Sequence, residues 1–131
     1  MTFVDTSAWF ALYVRDDPHH ADACFWIAHN PTPFFTTDYV VDETLTLMRA
    51  RGQRSVALDF GRDMFAGRAA TLYFLTARDV DATWAVFRDF DDKDWSFTDC
   101  TSRVVIEAFG IQTAFSFDHH FRQFGTVTVV P

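Results

Sequence analysis

Lysine is all but missing from the chain. Lys93 stands alone among 131 residues, and ten arginines complete the basic set against sixteen aspartates and two glutamates. The net charge of −7 argues against generic nucleic-acid binding, which needs a clustered basic surface. It fits a cation site, a basic partner or plain solubility. Cysteine is also scarce. Cys24 and Cys100 fall in different predicted helices without metal-ligand spacing, and read as small buried thiols in a reducing cytoplasm rather than as a disulfide framework. No apolar run approaches the roughly 20 residues of a membrane span. The N-terminal residues lack the basic and hydrophobic regions of a signal peptide, so a cytoplasmic location is expected. There is no internal repeat, low-complexity segment or linker.

Aromatics are plentiful. Sixteen phenylalanines and a hydrophobic content of 49% predict a Phe-rich core, and the length predicts one domain over residues 1–131. Trp9, Trp26, Trp84 and Trp95 read as core or interface rather than base-stacking platforms, because no basic residues interleave with them.

Strand-like and helix-like segments alternate. Thr2-Phe3-Val4, Phe34-Phe35-Thr36, Leu72-Tyr73-Phe74-Leu75, Thr113-Ala114-Phe115-Ser116-Phe117 and Thr126-Val127-Thr128-Val129-Val130 read as strands. The third is a continuous apolar run suited to burial on both faces. The first helix carries Trp9, Phe10, Leu12 and Tyr13. Asp17-Pro18 reads as the cap and first position of a second, with Ala21, Cys24, Phe25 and Ala28 as its buried face. A third runs to Arg51-Gly52, a fourth has Val56, Phe60 and Met64, and a fifth has Val80, Trp84 and Phe87. Thr101, Val104, Val105, Ala108 and Phe109 mark the apolar face of a sixth, closed by Gly110. This order predicts an α/β fold: one three-layer domain whose central parallel sheet of about five strands is flanked by helices.

In such sheets ligands bind beyond the carboxyl ends of the strands, where strand order reverses. Asp5 directly follows the first strand and Asp118 the fourth. Asp99 opens the sixth helix, and Asp42 and Glu43 lie near the start of the helix after the second strand. Each has an ordinary reading. Asp5 and Asp118 suit helix caps, Glu43 a solvated helix face, and Ser96 with Asp99 a capping box, with Arg103 in reach as an ion-pair partner. Their convergence is harder to explain that way. Two like charges 5 Å apart repel by about 3 kcal/mol at an effective dielectric of 20. Carboxylates gathered at one sheet edge therefore call for protons or cations, and hard oxygen donors suit Mg²⁺ or Mn²⁺ better than zinc.

Four segments carry a resemblance. Val4-Asp5-Thr6-Ser7, Val41-Asp42-Glu43-Thr44-Leu45, Asp92-Lys93-Asp94-Trp95-Ser96-Phe97-Thr98-Asp99 and Phe117-Asp118-His119-His120-Phe121 resemble the motifs of PIN-domain ribonucleases. Compact VapC-type toxins of toxin–antitoxin systems are the most similar members. The resemblance implies an acidic quartet of Asp5, Glu43, Asp99 and Asp118 around Mg²⁺ or Mn²⁺, with Thr6 and Ser96 as supporting polar residues. It also implies metal-dependent endonucleolytic hydrolysis of RNA, a homodimer and a small antitoxin partner. Arg15, Arg49, Arg51, Arg54 and Arg122 are candidates for contacts to the RNA backbone. His119 and His120 adjoin the quartet; as adjacent helical residues, neither they nor His19 and His20 are expected to chelate as pairs. Two alternatives remain: a phosphoryl-receiver-like domain, disfavoured because Lys93 precedes Asp99 instead of following the last strand, and a binding-only PIN-like module.

Overall fold

Phe3 is wholly buried at the middle of the sheet, and the strand order explains why. The computed structural model describes residues 1–131. In chain order the elements are β1 (Thr2–Val4), α1 (Thr6–Tyr13), α2 (His20–His29), β2 (Phe34–Thr37), α3 (Asp38–Ala50), α4 (Arg54–Phe65), β3 (Thr71–Tyr73), α5 (Ala77–Asp89), α6 (Phe97–Phe109), β4 (Thr113–Phe115), α7 (His119–Gln123) and β5 (Thr128–Val130). The strands lie in the order β3-β2-β1-β4-β5, all parallel, with helices flanking the sheet. β1 is central, and all three of its residues are buried.

Strand alternation divides the core between the two faces. Phe3 pairs in register with Phe35 and Ala114, and on its face the Phe3 ring lies 6.5 Å from Phe35 and 6.2 Å from Phe121. Val4 is opposite Phe115, on the other face. There Trp9 packs edge-on against Phe34 at 5.9 Å and, at a tilt, against Phe60 at 5.5 Å. The indole N–H of Trp9 donates to Thr36 Oγ1, whose hydroxyl donates to the Val4 carbonyl, so the polar groups in this aromatic layer are paired.

Several local expectations are corrected. Pro18 does not open α2: Asp17 Oδ2 accepts from the His19 amide at 2.9 Å and the Asp17 carbonyl from the His20 amide at 3.0 Å, a turn that delays the helix to His20. The inner face of α2 is formed by Ala23 and Trp26, the latter 4.7 Å from the Phe115 ring, while Phe25 is 67% exposed and stacks on His29. The larger indole takes the sheet-facing position. The third strand is at the sheet edge rather than buried on both sides, and Phe74 beyond it is exposed. On α6, Val105 and Ile106 are buried while Ala108 and Phe109 are not, because Thr101 and Ser102 share the inner side. Gly110 ends α6 with φ +63°, a left-handed conformation that suits glycine. The five-residue α7 was not predicted, being too short to show a helical period.

Cys24 and Cys100 are free thiols on α2 and α6, and burial pushes Cys100 up to about 11. No helix is long and apolar enough to cross a membrane.

Candidate active site

The chain order reverses between β1 and β4, where crossovers leave in opposite directions and open a crevice at the strand ends. Asp5 is the first residue past β1 and caps α1. Its Oδ1 accepts from the Ala8 amide at 3.0 Å and the Ser7 hydroxyl at 2.8 Å, and its Oδ2 from the Ser116 hydroxyl at 2.8 Å. Asp5 is only 5% exposed. Burial pushes its carboxyl up to about 7, against the pull of those three donors, and the Asp118 charge adds to the rise.

Asp99 arrives from α6. The expected capping box is present: the Ser96 amide donates to Asp99 Oδ2 and the Asp99 amide to Ser96 Oγ, both at 3.0 Å. The box orients the acid without removing it from the crevice, so the two readings of this stretch are compatible. His120 Nδ1 lies 3.0 Å from the same Oδ2. Burial raises the Asp99 carboxyl, with Asp118 contributing, while Ser96 and His120 lower it. The expected ion pair with Arg103 does not form. Arg103 bridges to Glu107 at 3.2 Å and lies over the Phe90 and Trp95 rings, where its planar cation stacks.

Glu43 is half-buried on α3. Burial raises its carboxyl, as do the charges of Asp99 and Asp118, while the Thr98 and Thr6 hydroxyls act in the other direction. Asp118 caps α7, accepting from the His120 amide at 2.9 Å. Asp5, Glu43, Asp99 and Asp118 line one cavity of about 140 Å³, together with Thr6, Ser7 and Thr98. Neither an arginine nor a lysine is among its lining residues. Asp42 is exposed and does not line it. Thr6 is held by Thr44, whose hydroxyl donates to it at 3.1 Å.

The donor set is all oxygen, crowded, anionic and partly withdrawn from water. That chemistry suits a hard divalent cation, which would relieve the carboxylate repulsion without a buried amine. The histidines of α7 differ from expectation. Their rings lie 4.3 Å apart, and both turn toward Asp118 Oδ1, His119 Nδ1 at 3.6 Å and His120 Nδ1 at 3.5 Å. At a helix N-terminus, adjacent side chains can reach back to the cap. Donor atoms of Asp118, His119 and His120 lie within 4.8 Å of one another, a spacing that also admits an ion. His19 and His20 do diverge: His19 stacks on Phe117, while His20 Nδ1 lies 2.7 Å from the Ala11 carbonyl. Ser7, Ser116 and His120 support the acids yet stand outside the residues singled out from sequence as supporting. Ser7 carried a local signal, since a serine two residues past an aspartate readily bonds back to it.

A family model described as PIN domain matches residues 2–127. The chain belongs to the PIN-domain family. This PIN domain is 33% identical over 132 aligned residues to "23S rRNA-specific endonuclease VapC20" of Mycobacterium tuberculosis, covering 100% of this chain and 99% of that one. It is 27% identical to a "VapC ribonuclease" of Archaeoglobus fulgidus, over 90% of this chain and 77% of that protein. The crystal structure of the M. tuberculosis VapC20, titled a sarcin–ricin loop cleaving toxin, superposes with a TM-score of 0.92 at 31% identity and full coverage of both chains. The receiver alternative loses its footing here, as Lys93 pairs with Asp92 at 3.5 Å and does not line the PIN-domain cavity.

Proposed function

We infer that the chain, acting as one unit over residues 1–131, is a metal-dependent endoribonuclease and the toxin of a toxin–antitoxin pair. The observation that carries this is the meeting of Asp5, Glu43, Asp99 and Asp118 on one cavity at the β1–β4 switch point. The names of the similar VapC proteins support RNA as substrate, and a structured ribosomal RNA loop as the class to try first.

In this reading Asp5 and Asp99 hold the first Mg²⁺ or Mn²⁺, and Glu43 and Asp118 assist it or hold a weaker second ion. A bound ion supplies Lewis-acid stabilisation of phosphate charge and lowers the pKa of water. The protein's part is positioning. Ser7, Ser116 and the Ala8 amide fix the Asp5 carboxylate, while the Ser96 amide and His120 both meet one oxygen of Asp99, leaving Oδ1 without a protein hydrogen bond. Burial holds the Asp5 carboxyl up at about 7, so a bound cation would favour its ionised form. No side-chain nucleophile is needed, since water attacks and the leaving oxygen departs from phosphorus. The expected partners are RNA, a second copy of the chain and a small antitoxin, all met in the cytoplasm.

Incubation of the purified protein with RNA in Mn²⁺, beside EDTA-treated protein and Asp99→Asn, tests the reading. Cleavage is expected in the first alone, and cleavage persisting in both others sinks it. Sequencing of RNA ends after expression of the wild type beside Asp5→Ala identifies the target.

A further inference from the structure

A chain this acidic needs a defined place for the RNA backbone, and the arginines show where one exists. Four pair with neighbouring carboxylates: Arg62 with Asp59, Arg68 with Asp63, Arg88 with Asp89 and Arg103 with Glu107. The other six are exposed and make no ion pair. One of these, Arg51, lines a cleft of about 350 Å³ that shares Ser7, Leu47 and Asp118 with the acidic cavity. Its guanidinium carbon lies 5.4 Å from the Phe10 ring centroid, a cation–π contact that holds the group at the end of α3.

The same cleft contains an aromatic platform. The His19 and Phe117 rings stack with centroids 4.4 Å apart and planes 11° from parallel. His19 is exposed, and Phe117 covers one face of its imidazole. The platform is fastened from two sides. Asp17 Oδ2 accepts from the His19 backbone amide at 2.9 Å, which anchors the main chain that carries the ring. Ser7 Oγ accepts from the Phe117 amide at 2.9 Å while donating to Asp5 Oδ1 at 2.8 Å, which ties the platform to the first acid of the cavity.

We propose that this cleft is a nucleotide subsite for single-stranded RNA, in which Arg51 takes the phosphate beside the scissile one and a base stacks on His19 with Phe117 behind it. The proposal rests on the nuclease reading of the adjoining cavity. Its chemistry is that of RNA recognition in general: a planar cation for phosphate oxygens, and an aromatic face that accepts an unstacked base.

The test is read as binding, so that it does not depend on turnover. Full-length Asp99→Asn protein is titrated into a fluorescent single-stranded RNA oligonucleotide in Mg²⁺ buffer at several salt concentrations, with and without a second substitution. Arg51→Ala is expected to weaken binding about ten-fold and to flatten the slope of log K against log salt by about 0.7, the share of one phosphate contact. His19→Ala is expected to weaken binding about ten-fold with the slope unchanged, and His19→Trp to restore it. Arg78→Ala, an unpaired arginine outside the cleft, stays within about two-fold on the same scale. Thermal melts screen each variant for folding, and Arg51→Gln and His19→Ser replace any that fails. Affinity and slope unchanged in both cleft variants overturns the subsite even if the wild type cleaves RNA. Absence of cleavage by the wild type overturns the nuclease reading and leaves the binding result legible.

Discussion

The Ser116 hydroxyl donates to Asp5 Oδ2 at 2.8 Å, joining residues 111 positions apart at the ends of neighbouring strands. Ser116 also accepts from the Asp118 amide at 3.0 Å, so one buried hydroxyl sets the positions of two acids from opposite ends of the chain. Ser116→Ala should weaken Mn²⁺ binding about ten-fold, in the range found when residues supporting metal ligands are removed. Calorimetric titration with Mn²⁺ measures this directly. An unchanged affinity would show that the strand ends alone hold Asp5 in place.

Asp5→Asn should separate stability from activity. Asparagine caps a helix about as well as aspartate, and it removes a carboxyl whose ionisation burial opposes. RNA cleavage should fall to background, while the metal-free melting temperature at pH 8 rises by about 5 °C. A variant that loses activity together with several degrees of stability would contradict this account of the burial cost.

Stability of the metal-free protein should decline as pH rises. In the unfolded chain Asp5 titrates near its ordinary value of about 4, whereas in the folded protein burial holds it at about 7. A raised carboxyl favours folding when protonated, so its contribution is full below the unfolded value and is lost as pH climbs to the folded one. Asp99 and Glu43 shift in the same direction. Asp63 and Asp79, lowered by Tyr13 and Tyr73 respectively, act oppositely, but only in the acid range below the unfolded value. Melting in EDTA should therefore show a decrease of about 10 °C from pH 5 to pH 8. Millimolar Mg²⁺ or Mn²⁺ should remove most of that slope, since the cation binds the ionised form. A flat metal-free profile is the contrary result.

His120→Ala should lower cleavage by ten- to a hundred-fold, roughly the effect of losing a partner that orients a metal ligand. His120 Nδ1 lies 3.0 Å from Asp99 Oδ2, and its side chain is largely enclosed. Steady-state kinetics on one RNA substrate should place the loss in kcat, with KM within about two-fold. A change confined to KM would make His120 a contact for RNA instead.

Much of this architecture was legible in the residues. Asp5, Asp99 and Asp118 stand at the junctions of apolar runs, where a chain leaving a strand or entering a helix takes a capping acid. The five strands and six longer helices follow from period and punctuation. What was hidden depends on neighbours distant in sequence. The Ser116–Asp5 bond requires β4 beside β1, and no local pattern states that adjacency. Arg103 had two acids within a helical turn, Asp99 and Glu107, and the choice was settled by the Phe90 and Trp95 rings that draw its guanidinium away from the cavity. Phe25 and Trp26 are adjacent on α2, and which of them faces inward depends on the Phe115 ring waiting at the sheet.

The central place of β1 also bears on synthesis. Asp5 is made well before its neighbour in the sheet, β4, since six helices and two strands lie between them in the chain. A nascent or truncated chain ending before Ser116 has no second wall for the cavity and no partner for Asp5 Oδ2. The acidic cavity is therefore completed only once β4 and Asp118 have been made, long after the strand and helix that begin it.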